Sequence, residues 1–318
     1  MDELTEVEIA SLLDPELAVG IPGTLARHLP AGALTVRLVR EVDLGLAVMP
    51  EATGSTEWIA RPDGSRLELR HYAPALADPE LSSCVVLWIH GGGMFLGSAR
   101  QDDALCQELC EALGVRVASV DYRLAPEHPY PEPLDDCYTA LASLAERGER
   151  VVLVGASAGG GLAAGLALLA RDRSGPAIAG VQLRYPMLDD RETDGARSLA
   201  RTAVWDRRLN RLGWTAYLGG QLADGYAAPA RAEDFAGLPP MYLDTGELDL
   251  FRAEDVGFAE RVRAAGGSVE LRVEKGAVHA FELIAPGASV SRAAVQRRNA
   301  WLSTVLHRSA DSMLEAAS

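Results

Sequence analysis

The chain has 318 residues, of which 48% are hydrophobic and 24% charged, a composition typical of a globular protein with one large domain or two small ones. Its formal net charge of −15 argues against binding to nucleic acids or to anionic membranes, because both need clustered basic residues. A chain of this length buries about three quarters of its unfolded surface, so its fold needs no disulfide or metal.

The four cysteines, Cys84, Cys106, Cys110 and Cys137, show no pattern of a metal site or a disulfide. No two of them have the C-x-x-C spacing. Cys106 and Cys110 lie four residues apart in a predicted helix, where Cβ atoms are about 5–6 Å apart, farther than the ~3.8 Å of a disulfide. We therefore expect free thiols in a reducing compartment and no metal site.

Two segments bear on the location of the protein. The first residues, Met1-Asp2-Glu3, are acidic where a secretion signal is basic, and no apolar segment follows them. Residues 151–170 carry no charge, but their composition is typical of a strand, a small-residue turn and a buried helix rather than of a membrane span. The sequence therefore predicts a soluble, cytoplasmic protein without a membrane partner.

The predicted elements change character along the chain. Residues 1–50 hold helical fragments, 58–61 and 66–72 alternate as a β-hairpin, and apolar strands then alternate with helices. The predicted strands are 84–89, 115–120, 151–154, 180–185, 241–245 and 268–273, and the predicted helices are 100–113, 135–147, 158–171, 253–265 and one from about 289. This alternation predicts an α/β fold whose parallel sheet is covered on both faces.

The connection between residues 185 and 241 is too long for a structureless loop. We expect a helical cap insertion at 190–235 which, with an N-terminal cap segment at 1–50, covers an α/β core formed by 51–189 and 236–318. Aromatic side chains in the insertion are candidates for lining a substrate pocket, and the alternative is that each packs the cap onto the sheet. These candidates are Trp205, Trp214 and Tyr217.

The sequence Gly155-Ala156-Ser157-Ala158-Gly159 has the G-x-S-x-G pattern. It lies between a predicted strand and a predicted helix, a setting in which a strained turn lifts the serine hydroxyl above the sheet. The pattern therefore predicts Ser157 as a nucleophile. The alternative is a glycine-rich turn in which the serine has no chemical role.

The sequence His90-Gly91-Gly92-Gly93 directly follows the predicted strand 84–89. Backbone N–H groups without a neighbouring Cβ can point at a developing negative charge, which predicts an oxyanion hole. A second donor would be the N–H of Ala158, just after the nucleophile. A phosphate-binding loop is the alternative, but neither of its glycine patterns is completed here. We expect His90 itself to form a structural hydrogen bond rather than to act as the base.

In an α/β fold with a G-x-S-x-G turn, the base must follow the nucleophile along the chain. Only two histidines follow Ser157. His307 lies in the predicted terminal helix, where a surface role is expected. His279 lies in the loop after strand 268–273, at the carboxyl edge of the sheet where sites of parallel α/β folds form. We therefore favour His279 as the base.

The acid should come from the loop after strand 241–245, which offers several carboxylates. Asp244 is expected within the strand and Asp255 on the following helix. Asp249 and Glu247 lie in the loop itself, and we favour Asp249 over Glu247. The alternative for either residue is a solvated carboxylate without a role.

Together these motifs resemble the hormone-sensitive-lipase-like branch of the α/β-hydrolase fold, also called bacterial esterase family IV. The resemblance covers nearly the whole chain, including Asp-Tyr-Arg-Leu-Ala-Pro-Glu at 121–127 and Leu-Asp-Pro-Glu at 13–16. It implies a mostly parallel central sheet flanked by helices, with a helical cap. Two positions depart from the family pattern. Ala156 stands where an acid usually precedes the serine, and Ala253 replaces the second acid of the acid loop.

The resemblance also implies a function and its residues. These are the catalytic triad of Ser157, Asp249 and His279 and the oxyanion donors Gly92, Gly93 and Ala158. The implied enzyme is a serine carboxylesterase that hydrolyses small-molecule esters of short to medium acyl chain through an acyl-enzyme, without cofactor or metal. The family also suggests a homodimer that pairs through strand 268–273.

Two other functions stay open. The same triad could serve a deacetylase or an amidase, which only substrate profiling separates from an esterase. A non-catalytic ligand receptor built on this fold, which the plant gibberellin receptors resemble, is the alternative of another class. Such a receptor is expected to lose the base, whereas His279 is present.

Overall fold

Eight strands form one sheet in the computed structural model, which describes residues 11–21, 35–46, 54–192 and 204–316. The strands are β1 (Ser55–Ala60), β2 (Arg66–Tyr72), β3 (Cys84–Ile89), β4 (Arg116–Val120), β5 (Arg150–Ala156), β6 (Ile178–Arg184), β7 (Met241–Gly246) and β8 (Val269–Glu274). Their order is β1-β2-β4-β3-β5-β6-β7-β8. β3 to β8 run parallel, and the hairpin β1–β2 adds two antiparallel strands at one end. The α/β-hydrolase fold is confirmed.

Eight α-helices accompany the sheet in the described residues. They are α1 (Val36–Leu46), α2 (Asp103–Leu113), α3 (Glu132–Glu146), α4 (Ala158–Asp172), α5 (Arg207–Leu218), α6 (Arg252–Ala264), α7 (Phe281–Ile284) and α8 (Ser289–Ala316). Five of them, α2 to α6, lie in the connections between the parallel strands. The residues that cap α5 explain where this helix begins and ends. The Asp206 carboxylate accepts the backbone N–H groups of Arg208 and Leu209, and Gly219 closes the helix in the left-handed conformation.

The core consists of two apolar clusters, one on each face of the sheet. Because side chains alternate along a strand, Val85, Leu87 and Ile89 of β3 lie in one cluster, and Val86 and Trp88 lie in the other. Apolar side chains of α3 and α4 fill the first cluster, while those of α2 and α8 fill the second. The sheet is therefore covered on both faces, as its uninterrupted apolar strands predict.

The predicted cap lies partly outside the described residues. Of the segment 1–50, the structure describes 11–21 and 35–46, and of the insertion 190–235 it describes 190–192 and 204–235. α5 packs against the first apolar cluster through Leu209, Trp214 and Tyr217. No helix in the described ranges combines the length and the apolar character needed to cross a membrane.

Candidate active site

Three strand ends bring the predicted nucleophile, acid and base together. Ser157 directly follows β5, Asp249 lies in the loop after β7, and His279 lies in the loop after β8. The carboxyl ends of parallel strands meet at one edge of the sheet. His279 Nε2 lies 2.9 Å from Ser157 Oγ, and His279 Nδ1 lies 2.8 Å from Asp249 Oδ2. The three side chains thus form one continuous hydrogen-bonded chain.

Ser157 occupies a sharp turn between β5 and α4, with φ 55° and ψ −120°. This conformation is strained for a residue with a side chain. The Ser157 N–H donates to the carbonyl of Arg184 at 2.9 Å, and its carbonyl accepts the N–H of Met187 at 3.0 Å. A Cβ atom on Gly159 would lie 2.0 Å from the Ile89 carbonyl oxygen, so only glycine lets α4 begin this close to β3.

The acid loop separates the two candidate carboxylates. Asp249 is fully buried, and its Oδ1 accepts the N–H of Phe251 at 2.9 Å while Oδ2 contacts His279. Glu247 Oε2 instead accepts the N–H of Gly276 at 2.9 Å. The structure therefore brings Asp249, and not Glu247, to the imidazole.

Aromatic rings surround the imidazole of His279. The ring of Tyr185 meets it edge-on with centroids 4.8 Å apart, Phe251 lies at 5.1 Å, and Trp205 at 6.4 Å. These contacts and the bond to Asp249 restrict the rotation of the ring. In the tautomer that donates from Nδ1 to the carboxylate, Nε2 is free to accept the proton of Ser157 Oγ.

A buried polar network, which the sequence patterns miss, lies behind the imidazole. Tyr185 donates its hydroxyl to Glu282 Oε1 at 2.6 Å, and Arg298 contacts the same oxygen at 2.5 Å. Arg298 also binds both carboxylate oxygens of Asp244, at 2.6 and 3.0 Å. This network joins α8 to the end of β7 and to α7, the helix that follows His279.

The glycine loop after β3 passes beside the serine. A Cβ atom built on Gly91 would lie 3.4 Å from Ser157 Cβ. Gly93 has φ 61°, and a Cβ there would lie 2.4 Å from the ring of Trp205. Within the described ranges, the N–H groups of Gly92 and Gly93 donate to no other backbone group or side chain. Ala158 begins α4, so its N–H has no partner inside the helix.

His90 is held inside the core rather than at the site of reaction. Its ring stacks on Tyr122 at 4.1 Å, and its Nδ1 lies 2.7 Å from the carbonyl oxygen of Gly91. Burial lowers the pKa of His90 to about 4, so the ring is neutral at neutral pH. The hydroxyl of Tyr122 donates to the His90 carbonyl at 2.9 Å, which adds a second anchor to the glycine loop.

The three cap aromatics have different positions. Trp205 lies against Gly93 and near His279, so it borders the candidate site. Trp214 and Tyr217 lie in the first apolar cluster with their rings 6.1 Å apart, and Tyr217 also packs edge-on against Tyr130 at 5.7 Å. Among the ring contacts of the described residues, His279 pairs with Tyr185, Trp205 and Phe251 and with neither of these two rings.

The two departures from the family pattern differ in their exposure. Ala156 ends β5 and is buried, while Ala253 lies on the exposed side of α6. The next residue, Glu254, is buried, and its Oε1 accepts the N–H groups of Leu188 and Asp189 at 2.8 and 3.2 Å. Glu254 therefore joins α6 to the two residues just before the predicted cap insertion, a role that no sequence pattern indicates.

One group of side chains has the types and spacing of metal ligands. Among the described residues, Asp78, Glu80 and His307 bring one atom each within 4.8 Å of one another, and none of the three is a triad candidate. His307 Nε2 lies 3.2 Å from Asp78 Oδ2, and its Nδ1 lies 2.7 Å from the carbonyl of Ser303. Both ring nitrogens thus already have protein partners, as expected for a surface ion pair.

Comparison with known proteins gives consistent matches. A family model described as the alpha/beta hydrolase fold matches residues 86–283. Esterase LipI of Mycobacterium tuberculosis is 33% identical over 260 residues, 78% of this chain and 80% of that protein. Hormone-sensitive lipase of Mus musculus is 34% identical over 184 residues, 55% of this chain and 23% of that protein.

A solved structure agrees over a longer range. A bacterial heroin esterase is 36% identical, with a TM-score of 0.82 over 93% of this chain and 98% of that one. The fold, the motifs and these relatives agree with one another. The chain therefore belongs to the hormone-sensitive-lipase-like carboxylesterases of the α/β-hydrolase fold.

Proposed function

We propose that the protein is a serine carboxylesterase that hydrolyses small-molecule esters of short to medium acyl chain through an acyl-enzyme. The observation that carries the proposal is the hydrogen-bonded chain from Asp249 through His279 to Ser157, beside a glycine loop. The N–H groups of Gly92 and Gly93 in this loop have no acceptor among the described residues. A nucleophile, a base, an orienting acid and donors for an oxyanion are the groups that acyl transfer requires.

The proposed reaction uses each group in turn. Ser157 Oγ attacks the ester carbonyl carbon while His279 Nε2 accepts its proton, and Asp249 stabilises the imidazolium. The C–O bond to the alcohol breaks as His279 returns that proton to the leaving oxygen. Water then attacks the acyl-enzyme by the same route, which releases the acid and restores Ser157. The tetrahedral oxyanions are stabilised by the N–H groups of Gly92, Gly93 and Ala158.

The cap belongs to the same proposal. We assign the acyl pocket to the space between the core and a cap formed by 1–50 and 190–235. Trp205 supports this assignment because it lies between the glycine loop and the imidazole. A large aromatic side chain at this position can cover the acyl chain and exclude water from the acyl-enzyme.

A homodimer is the proposed assembly. β8 is the last strand of the sheet, and Val273 on this strand is 42% exposed. An edge strand can pair with a second copy through its backbone N–H and C=O groups. Light scattering at micromolar concentration tests the proposed dimer independently of the activity. A mass of two chains is expected, and a mass of one chain contradicts it.

Turnover of nitrophenyl acetate, butyrate and hexanoate tests the activity, with an N-acetyl arylamide assayed beside them. We expect turnover of the esters, and we expect Ser157→Ala to lower kcat by several orders of magnitude without unfolding the protein. Ser174→Ala is the matched control, because this exposed serine lies just beyond the other end of α4. Faster turnover of the amide favours the amidase, and no turnover of any substrate favours the receptor.

A further inference from the structure

Arg40 connects α1 to two other segments of the protein. Its Nε donates to the carbonyl of Phe95 at 2.9 Å, and its Nη2 donates to the carbonyl of Ala125 at 2.8 Å. Nη1 and Nη2 also bind the two carboxylate oxygens of Glu127 at 2.7 and 3.0 Å. The planar guanidinium thus holds four acceptors in a fixed geometry, which an ammonium group cannot reproduce.

The carbonyl of Phe95 belongs to the turn that ends the glycine loop. The N–H groups of Phe95 and Leu96 both donate to the carbonyl of Gly92, at 3.2 and 2.8 Å. This carbonyl and the N–H of Gly93 share one planar trans peptide unit, so they point in opposite directions. The hydrogen bonds that fix the Gly92 carbonyl therefore also fix the direction of the Gly93 N–H.

The contact of Arg40 with the carbonyl of Ala125 supports the same turn from a second segment of the chain. Ala125 donates its N–H to the carbonyl of Met94 at 2.9 Å, and its own carbonyl is held by Arg40. Val39, the neighbour of Arg40 on α1, is fully buried in the first apolar cluster. The helix, the turn and residue 125 are thus held together at one point.

We propose that Arg40 is a positioning residue that couples the docking of α1 to the direction of the Gly93 N–H. The inference rests on the proposed function, in which this N–H stabilises the oxyanion. If Arg40 is lost, the turn relaxes and the donor no longer points at the oxyanion. The transition state is then less well stabilised, while the binding of the ground-state ester changes little.

The neighbouring Arg37 provides a matched control. It lies on the same helix and pairs with Glu41 at 2.8 Å, but its side chain is 89% exposed. Arg37 and Arg40 carry the same charge and both pair with a glutamate, so their variants change the charge of α1 equally. Of these two arginines, only Arg40 has a hydrogen bond to the turn after the glycine loop in the described part of the protein.

The test compares Arg40→Gln, Arg40→Lys and Arg37→Gln with the parent enzyme on nitrophenyl acetate. Active sites are first titrated with a phosphonate, so that kcat refers to folded enzyme only. We expect both Arg40 variants to lower kcat by about tenfold or more, with KM within about twofold. Deleting one oxyanion donor lowers kcat by about 10²- to 10³-fold, and displacing a donor should cause part of that loss. Arg37→Gln should match the parent.

Affinity for a trifluoromethyl ketone provides the second readout, because this inhibitor places an oxyanion in the hole. Its inhibition constant should rise by the same factor as kcat falls, which a loss of stability alone would not produce. The positioning role is contradicted if kcat per titrated site and this constant stay at the parent values in Arg40→Lys. If the parent enzyme itself shows no turnover that depends on Ser157, the proposed function has failed instead.

Discussion

Ser157 shows how single residues maintain a strained but useful conformation. A non-glycine residue with φ 55° costs about 1–3 kcal/mol, and such strain persists only where the surroundings fix it. The bonds of its backbone to Arg184 and Met187 supply that constraint. The same turn places Oγ within hydrogen-bond distance of His279.

The assignment of the acid gives the first prediction. Asp249→Asn should keep the fold and lower kcat by about 10³- to 10⁴-fold, because the amide holds the imidazole in the wrong tautomer. Glu247→Gln can still accept the N–H of Gly276 and should cost less than about threefold. Steady-state kinetics of the two variants, with the fold of each checked by circular dichroism, show which carboxylate is the acid. The opposite ranking would transfer the acid role to Glu247.

Glu254 gives a prediction on pH dependence. Burial raises the pKa of this carboxyl well above its ordinary value of 4.5, so the folded protein keeps a proton that the unfolded chain loses. Its contribution to stability is therefore complete below about pH 4.5 and is lost as the pH rises toward the folded pKa. Glu254→Gln removes this pH-dependent loss of stability, while the amide oxygen of the glutamine can still accept the N–H groups of Leu188 and Asp189.

Urea unfolding at pH 5, 6.5 and 8 measures this effect. The free energy of unfolding of Glu254→Gln, relative to the parent, should increase with pH by about 1.4 kcal/mol for each unit by which the pKa is raised. Glu260→Gln, at an exposed position on α6, is the control and should show no such trend. A difference that is the same at all three pH values contradicts a buried, protonated Glu254.

The sequence predicts some of these residues and not others, for a physical reason. The glycine loop and the G-x-S-x-G turn are local patterns, because steric rules within a few residues determine them. The network of Arg298, Asp244 and Glu282 joins residues up to 54 positions apart in sequence, so no local pattern contains it. Arg40 and Glu254 likewise look like ordinary charged residues on helix surfaces.

At the scale of elements, strands and helices follow the periodicity of apolar residues, and their ends follow local chemistry. β3 begins and ends at the predicted residues, 84–89, because it is apolar throughout. α3 begins at 132 rather than at the predicted 135, since Pro133 is tolerated in the first turn of a helix. The position of β4 between β2 and β3 depends on long-range pairing, which periodicity does not encode.

The contribution of the cap to specificity gives a prediction at this scale. Trp205→Ala should lower the ratio of hexanoyl to acetyl kcat/KM by at least about fourfold, which corresponds to one buried CH₂ of about 0.8 kcal/mol. Trp214→Ala removes a ring from the apolar cluster, so it should cost about 3–5 kcal/mol of stability and leave this ratio unchanged. Equal ratios for Trp205→Ala and the parent would exclude Trp205 from the acyl pocket.

At the scale of the whole molecule, one buried arginine joins elements from the last third of the chain. Arg298 on α8 is fully buried and pairs with Asp244 of β7 and Glu282 of α7. Removing one partner of a buried ion pair leaves the other charge uncompensated, which costs about 3–5 kcal/mol. The position of His279, between β8 and α7, thus depends on a contact made by the C-terminal helix.

Arg298→Met tests this dependence. Its free energy of unfolding should fall by about 3–5 kcal/mol in urea titration. Arg297→Met is the matched control, because the neighbouring arginine is 36% exposed and pairs with Glu274, so its loss should cost less than about 1 kcal/mol. Equal stabilities of the two variants would show that the buried network does not hold these elements together.

The decisive measurement is the reaction of the whole protein with a fluorophosphonate, followed by peptide mass mapping. The arrangement of Asp249, His279 and Ser157 predicts one adduct per chain, on Ser157, formed in parallel with the loss of ester turnover. Ser157→Ala should remain unmodified under the same conditions. An adduct on another residue, or equal labelling of Ser157→Ala, would contradict the role of Ser157 as the nucleophile.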